Sequence, residues 1–587
     1  MGLAQRRRLR QPSASLSSDD AASTRGTGTV DSFPAPIPSS ASVFVSADGV
    51  SMLGQGVPTA TVSDEMAREF CFYNLQPDGA LRPGGPLPLW SRDGAGLLLT
   101  YATVGVLYGA LPSLIQPFFQ SYLQLPANQV QTARAVLDAP WLWKVVGGAL
   151  SDGVPLWGYR RKSYMALGWI VSFVALAFLG IMAVPPHTEG DTASSYTKTR
   201  GWLFIAGMGV ATVGALFANV AADGLMIEWA QREPIVARGR TQTAAFIMRC
   251  LFMFIADFAV NTVLNSAAFG GEFGWSVSVN AVLLVLAFVA FLALLGAVWL
   301  LREDKVDPDD IGVFSGRARR LELWRLAQSR AIWQLLLFAF MSSLAFAIAP
   351  VGAGLVVATQ YVHVDQYERA VADFVKGLVY TASLWATQRY LCRMSWPKIV
   401  AVATCWIVGV RVVIAGAIVF NLVRYQFVFL YFPTLAMPAG AARFLVLLLP
   451  IAEIAQPGFE ATTYGVVITF YNFALLLAAA ASKRLATFFA LSDAERASVD
   501  TVDVRWKVMA GFLSAFAVQF ASLAAVMFLP RQRLEVQQLR YYGGFSVVAA
   551  SFVVAGTALA LTYSIAAAAL SAFTATACLR LVGGNGC

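Results

Sequence analysis

The chain has 587 residues, of which 57% are hydrophobic and only 13% charged, with a net charge of +9. A soluble domain carries about 25% charge, so the composition excludes an ordinary soluble enzyme. It points to a membrane protein crossed many times. The positive charge does not indicate nucleic-acid binding, because Lys and Arg sit mainly between apolar runs, where loop positions of a membrane protein collect them.

Residues 1–92 are rich in Ser, Ala, Pro, Gly and Thr and hold no apolar run long enough to span. They read as a disordered cytoplasmic tail. Arg6-Arg7-Arg8 is not followed by an apolar stretch, so no secretory signal is expected.

Thirteen apolar segments follow. The first six run from about Gly96 to Phe119, Ala133 to Leu150, Tyr164 to Val184, Trp202 to Trp229, Thr243 to Leu264 and Ser276 to Leu301. A charged connector, 302–330, contains Asp307-Pro308-Asp309-Asp310 and Arg317, Arg319 and Arg320. Spans seven to twelve are expected at Ile332 to Ala358, Val371 to Leu391, Ile399 to Asn421, Ala441 to Ala455, Tyr464 to Ala481 and Val508 to Leu529. Tyr425 to Met437 is apolar but interrupted by Pro433 and Pro438, and reads as a loop or re-entrant piece. Residues 531–587 form an extension with room for a thirteenth span from Phe545 to Leu570.

This is an all-α layout: a first six-helix half at 93–301, a cytoplasmic loop at 302–330 and a second half at 331–530. With the amino end inside, the connectors after spans 2, 4, 6, 8 and 12 hold roughly twice as many Lys and Arg as the opposite ones. A plasma-membrane location with a cytoplasmic N-terminus is expected. Cys578 and Cys587 would then lie outside, where they are able to pair. With only His187 and His363 available, no histidine metal site is expected.

Ionisable side chains inside spans cost about 2.5–3.5 kcal/mol on insertion scales and seldom face lipid. Arg134 and Asp138 are four apart and able to pair along one helix face. Lys144 follows them. Span 4 carries Asp223 and Glu228, span 5 Arg249 and Asp257, span 8 Asp373 and Lys376, span 9 Arg411, and span 10 Arg443, with Glu453 and Glu460 near its end. Each alone reads as a structural ion pair or a side chain reaching the interface. As a set they suggest a polar pathway, with Arg134, Asp138, Lys144, Asp223, Glu228, Arg249, Asp257, Lys376, Arg411 and Glu460 as its candidates. A carboxylate in a low-dielectric cavity suits proton transfer, and Asp223 and Asp257 are the candidates. Arg249 and Arg411 suit an anionic planar substrate, because guanidinium binds carboxylate through two parallel bonds. Trp141, Trp143, Phe118 and Phe119 are aromatic candidates for stacking on a flat ring.

Four stretches resemble the folate–biopterin transporter family of the major facilitator superfamily. PWLWKVVGGALSDGVPLWGYRRKSY, residues 140–164, is similar to that family's PW-x-x-K-P-x-x-G-x-x-SD-x-x-P-x-x-GYRR-x-x-Y signature. VAADGLMIEWAQRE, GRTQTAAFIMR and PIAEIAQPGFEATTYG are similar to three further segments. Val145, Gln231, Thr243 and Gln456 depart from the usual residues.

The resemblance implies a bundle of 12 transmembrane helices in two six-helix halves. It also implies a secondary transporter of folate, pterin or a related metabolite, coupled to protons and working by alternating access. Gly148, Asp152, Gly158, Arg160 and Arg161 resemble a stretched form of the superfamily's G-x-x-x-D-x-x-G-R-R loop, which implies a cytoplasmic gate. The expected partners are a small-molecule substrate, protons and the lipid bilayer. No cofactor is implied: the sequence has no GxxxxGK-S/T loop for ATP and no HExxH or GxSxG, so no enzyme is expected. The alternative is a membrane sensor or scaffold that keeps the fold without transporting.

Overall fold

The computed structural model describes residues 43–46, 49–52, 78–186, 194–306, 316–489, 500–573, 576 and 579. The chain divides into two units, 1–61 and 62–587. In the first, strands β1 (Val43–Ser46) and β2 (Gly49–Met52) pair as an antiparallel hairpin. The second is helical. Cys578, Cys587 and His187 lie outside the described residues.

The first half begins with α1 (Arg92–Ser113), where the Ser91 hydroxyl accepts the Gly94 N–H at 3.1 Å and so caps a helix start. Beyond Pro112 the helix widens into a π-helical stretch, Ile115–Tyr122. The second span is interrupted. It consists of α2 (Ala127–Asp138), a 3-10 turn at Ala139–Trp143 and α3 (Lys144–Gly153). Pro140 supplies no N–H to the ladder, and the helical pitch changes there. Helices α4 (Lys162–Ile181), α5 (Ser195–Ala230), α6 (Arg240–Val263) and α7 (Val279–Leu295) complete this half.

A polar helix, α8 (Gly316–Gln328), lies in the central connector. The seventh span is α9 (Arg330–Ala347), broken at 348–350 before α10 (Val351–Val356). There follow α11 (Gln366–Ala386), α12 (Trp396–Val419), α13 (Gln426–Tyr431), α14 (Met437–Ile454), α15 (Glu460–Phe488) and α16 (Val502–Ala521). The short α17 (Arg533–Tyr542) leads to α18 (Val547–Ala572).

Eleven of these, counting the turns that continue them, are long and apolar enough to cross a membrane, α18 among them. The expected second and eighth spans are not among the eleven. Both are rich in ionisable residues: the second carries Arg134, Asp138, Lys144 and Asp152, and the eighth, α11, carries Glu368, Arg369, Asp373 and Lys376. Both are nonetheless helices packed within the bundle. The expected break at Tyr425 to Met437 is corrected: α13, a 3-10 turn at Phe432–Ala436 and α14 run on as one rod, Gln426–Ile454. Pro433 and Pro438 each fall in the first two positions of their segment, where a missing N–H leaves no hydrogen bond unmade.

The packing repeats. In the first half α1 lies on α6, α3 on α5 and α4 on α7. Six spans later α9 lies on α15, α11 on α14 and α12 on α16. Between the halves α3 meets α15 and α6 meets α11, again as counterparts. Two of these contacts are close enough to require glycine. A Cβ on Gly105 would stand 2.2 Å from the Arg249 carbonyl oxygen, and one on Gly148 would stand 2.4 Å from that of Ala461. Helix α18 packs along α2 and α15, where Trp143 Nε1 donates to Ser564 Oγ at 3.1 Å.

Candidate functional site

Asp138, Lys144 and Asp152 follow one another along the second span, separated by roughly 9 and 12 Å of helix rise. Each marks one of three polar layers.

At Asp138 lies a cavity of ≈ 310 Å³, lined among others by Tyr108, Ser113, Asp138, Trp141, Phe254 and Asp257. The Asp257 carboxylate accepts from the Ser113 hydroxyl and from Asn261 Nδ2, the latter at 3.1 Å. The Arg249 guanidinium carbon stands 4.9 Å from the ring centre of Tyr108 and 5.3 Å from that of Trp141, two rings of the cavity lining. Among the described residues Arg249 forms no ion pair. The expected Arg134–Asp138 pair does not form either: Asp138 faces the cavity and no bridge to Arg134 closes.

At Lys144 the layer is buried and its charges are partnered. Lys144 Nζ lies 2.6 Å from Asp223 Oδ2 and 2.6 Å from Asn219 Oδ1. Tyr101 donates its hydroxyl to Asp223 Oδ1 at 2.6 Å. The Lys144 and Asp223 side chains are each 1% exposed.

At Asp152 the two halves are tied together. The Arg161 guanidinium lies 2.6 Å from Asp152, 2.8 Å from Glu228 and 2.9 Å from Glu460. Arg160 stands 3.8 Å from Asp152 and 3.7 Å from Glu460. Gly158, at φ +81°, turns the loop that delivers both arginines. Glu303 accepts the backbone N–H groups of Arg160, Arg161 and Lys162, which anchors the start of α4.

A second cluster joins the halves beside it. Arg238 Nη1 lies 2.7 Å from Glu453, whose carboxylate also accepts from Gln537 at 2.8 Å. Arg533 donates to the Arg238 carbonyl at 2.7 Å. Glu233 receives the N–H groups of Gly239, Arg240 and Thr241 at the head of α6. Burial pushes its carboxyl up from the ordinary value, and those hydrogen bonds oppose the shift.

The five gate candidates therefore meet at one end of the bundle. Glu228 and Glu460, expected on the pathway, lie instead in the Arg161 cluster. Lys376 pairs with Asp373 one turn away on α11. Arg411 donates to Gln519 Oε1 at 2.8 Å. Phe118 and Phe119 are wholly buried core, and Trp143 turns to Ser564, so Trp141 alone of the four aromatic candidates lines the cavity.

Sequence reasoning missed Arg82. It lies in the segment taken as tail, yet it pairs with Glu460 while the N–H groups of Leu81 and Arg82 bond to the Gln231 carbonyl. Arg238 and Arg533 were legible only as loop charges.

Over 219 residues, 37% of this chain and 38% of the relative, the sequence is 28% identical to a folate-biopterin transporter of Synechocystis. It is 23% identical to folate transporter 1 of Plasmodium falciparum, over 30% of this chain and 31% of that one. A probable folate-biopterin transporter 2 of Arabidopsis thaliana is 20% identical over 30% of this chain and 33% of its own. The chain thus matches about a third of the length of these relatives. Among solved structures, a proton-dependent oligopeptide transporter superposes with a TM-score of 0.49 at 14% identity, over 76% of this chain and 99% of that one. A proton:xylose symporter of the major facilitator superfamily does so with a TM-score of 0.49 at 11% identity, over 76% and 98%. Residues 105–534, which take in most of both halves together with Asp138, Lys144 and Asp152, match the BT1 family, and the chain belongs to it.

Proposed function

We propose that the protein is a secondary active transporter that carries folate, a pterin or a related small metabolite across a membrane. The observation that carries this reading is the Arg249 guanidinium, which lies against the Tyr108 and Trp141 rings of the cavity lining with no carboxylate spent on it. Aromatic walls suit a flat ring, and a free guanidinium suits an anionic group on it. The names of the relatives as folate and biopterin transporters support the substrate class.

In this reading the Arg161 and Arg238 clusters are the cytoplasmic gate, shut while the cavity serves the opposite side. Alternating access rocks one half against the other and breaks both clusters. Asp223 is the proton site, because releasing Lys144 from it frees both groups to exchange protons. The amino end lies in the cytoplasm and the membrane is the plasma membrane.

The test is uptake of labelled folates, pterins and methionine derivatives, at two pH values, in cells lacking their own carrier. Accumulation above the empty vector that is lost in Arg249→Gln at equal surface level is expected. Vector-level uptake of every compound overturns the reading.

A further inference from the structure

The second half holds an arginine site of its own, built on another broken helix. Phe346 lies in the last turn of α9, just before the interruption at 348–350. Its ring centre is 3.9 Å from the Arg443 guanidinium carbon and 5.6 Å from that of Arg411. Arg443 donates to Ser342 Oγ at 2.9 Å and to the Thr404 hydroxyl. Arg411 donates to Gln519, whose amide nitrogen donates to the Ile348 carbonyl, freed by the break, at 2.7 Å.

Every one of these partners is neutral. Among the described residues neither arginine forms an ion pair. Both lie more than a turn from the ends of Gln426–Ile454 and Trp396–Val419, too deep to reach an interface with ease. Each cation costs about 2.5–3.5 kcal/mol in a span, and a neutral hydrogen bond returns about 1 kcal/mol. Two neighbouring guanidinium groups also repel each other. Four other buried basic groups of this chain, Lys144, Arg161, Arg238 and Arg533, have carboxylates within 4 Å. The missing counter-charge at Arg443 and Arg411 therefore has to come from a ligand.

We propose that Arg443, assisted by Arg411 and Phe346, forms a second anion site that receives a carboxylate set apart from the substrate's ring. Phe444, next to Arg443, packs its ring 5.2 Å from that of Phe246, one turn before Arg249, so the two arginine-bearing helices meet in the core. The substrate is then a flat ring with an acidic arm, held by one half at each end. An uncharged ring compound engages the first half only. This rests on the transport reading above and narrows it.

Binding to purified protein in lipid nanodiscs, read by quenching of Trp fluorescence, tests the site with two probes. Folic acid carries the ring and two carboxylates, and biopterin the ring with a short uncharged hydroxylated chain. Arg443→Gln is expected to weaken folic acid by about ten- to a hundred-fold and to leave biopterin unchanged. Retained biopterin binding also reports that the variant is folded. Arg443→Lys is expected to recover part of the loss. Equal weakening of both probes, or of neither, overturns the second site. Wild-type protein that binds biopterin as tightly as folic acid overturns it while the transport reading stands. Wild-type protein that binds neither probe overturns both.

Discussion

The Asp152 carboxylate accepts the Thr462 N–H at 2.7 Å and the Thr462 hydroxyl at 2.6 Å. An acid of the first half thus caps the first turn of α15 in the second, while the same carboxylate holds Arg161. A cap of this kind contributes about 1 kcal/mol and a charged hydrogen bond about 1.5–3. Asp152→Ala should therefore loosen this end of the bundle, with Arg161 still neutralised by Glu228 and Glu460. A cysteine placed at Val220, which is buried beside Gly147, should label about ten-fold faster or more in that background. An unchanged labelling rate would remove Asp152 from the closure.

Gly148 makes the same closure possible sterically. A methyl group there would stand 2.4 Å from the Ala461 carbonyl oxygen and 2.9 Å from the Thr462 nitrogen, both backbone atoms that cannot step aside. Gly148→Ala should push α3 from α15 without touching any charge. Spin labels on exposed Leu150 in the first half and on exposed Arg531, directly after the second, should report a longer and broader distance than in the wild type.

These contacts mark where the sequence stops being informative. Helix positions follow from apolar runs, and the loop at 154–161 announces itself through Gly158, Arg160 and Arg161. Partner choice across 299 residues, as between Arg161 and Glu460, has no local signature, so Glu460 read as a pathway charge. Local spacing even misled: Arg134 and Asp138 have the right interval on one helix, but the cavity competes for the acid. Prolines were ambiguous for a related reason. Pro140, Pro433 and Pro438 all stand in the first two positions of a helical segment, so a proline alone does not say whether a span stops there. Arg82 was invisible because nothing in a Ser-Pro-Gly-rich stretch signals docking.

Arg82 should matter to the gate for that reason. Its segment bonds to Gln231 and Arg238 in the first half, and its guanidinium pairs with Glu460 in the second. Arg82→Ala should speed labelling at Val220 less than Asp152→Ala does, because Arg161 still neutralises Glu460. Labelling as fast as in Asp152→Ala would make the tail segment an equal part of the lock.

Asp500 predicts a pH effect at the opposite end. Hydrogen bonds from Arg505 and Arg424 hold its carboxyl well below the usual range. Arg424 also donates to the Ile418 and Val419 carbonyls that end α12. A lowered acid pKa means that the unfolded chain binds the proton more readily. The contribution is present above the ordinary value near 3.9 and is lost as pH falls through the lowered one. Thermal unfolding of wild type and Asp500→Asn should differ at pH 7, and the difference should shrink below about pH 4. A constant difference across that range would mean that the carboxylate charge adds nothing.

The Lys144–Asp223 pair allows the transport reading to be separated from plain stability. Both groups are buried, at 2.6 Å, with Tyr101 and Asn219 completing their hydrogen bonds. Removing one partner of such a pair leaves a stranded charge and costs about 3–5 kcal/mol, whereas replacing both is often close to neutral. Asp223→Asn alone should abolish pH-dependent uptake, but part of that loss would come from a strained bundle. Lys144→Met combined with Asp223→Asn removes the stranded charge, so thermal stability and surface level should return toward wild type. Uptake should not return, because the proton site is gone. A double variant that transports with the wild-type pH dependence would make the pair a structural strut, and would leave Asp257, already at the cavity, as the carboxylate to test next.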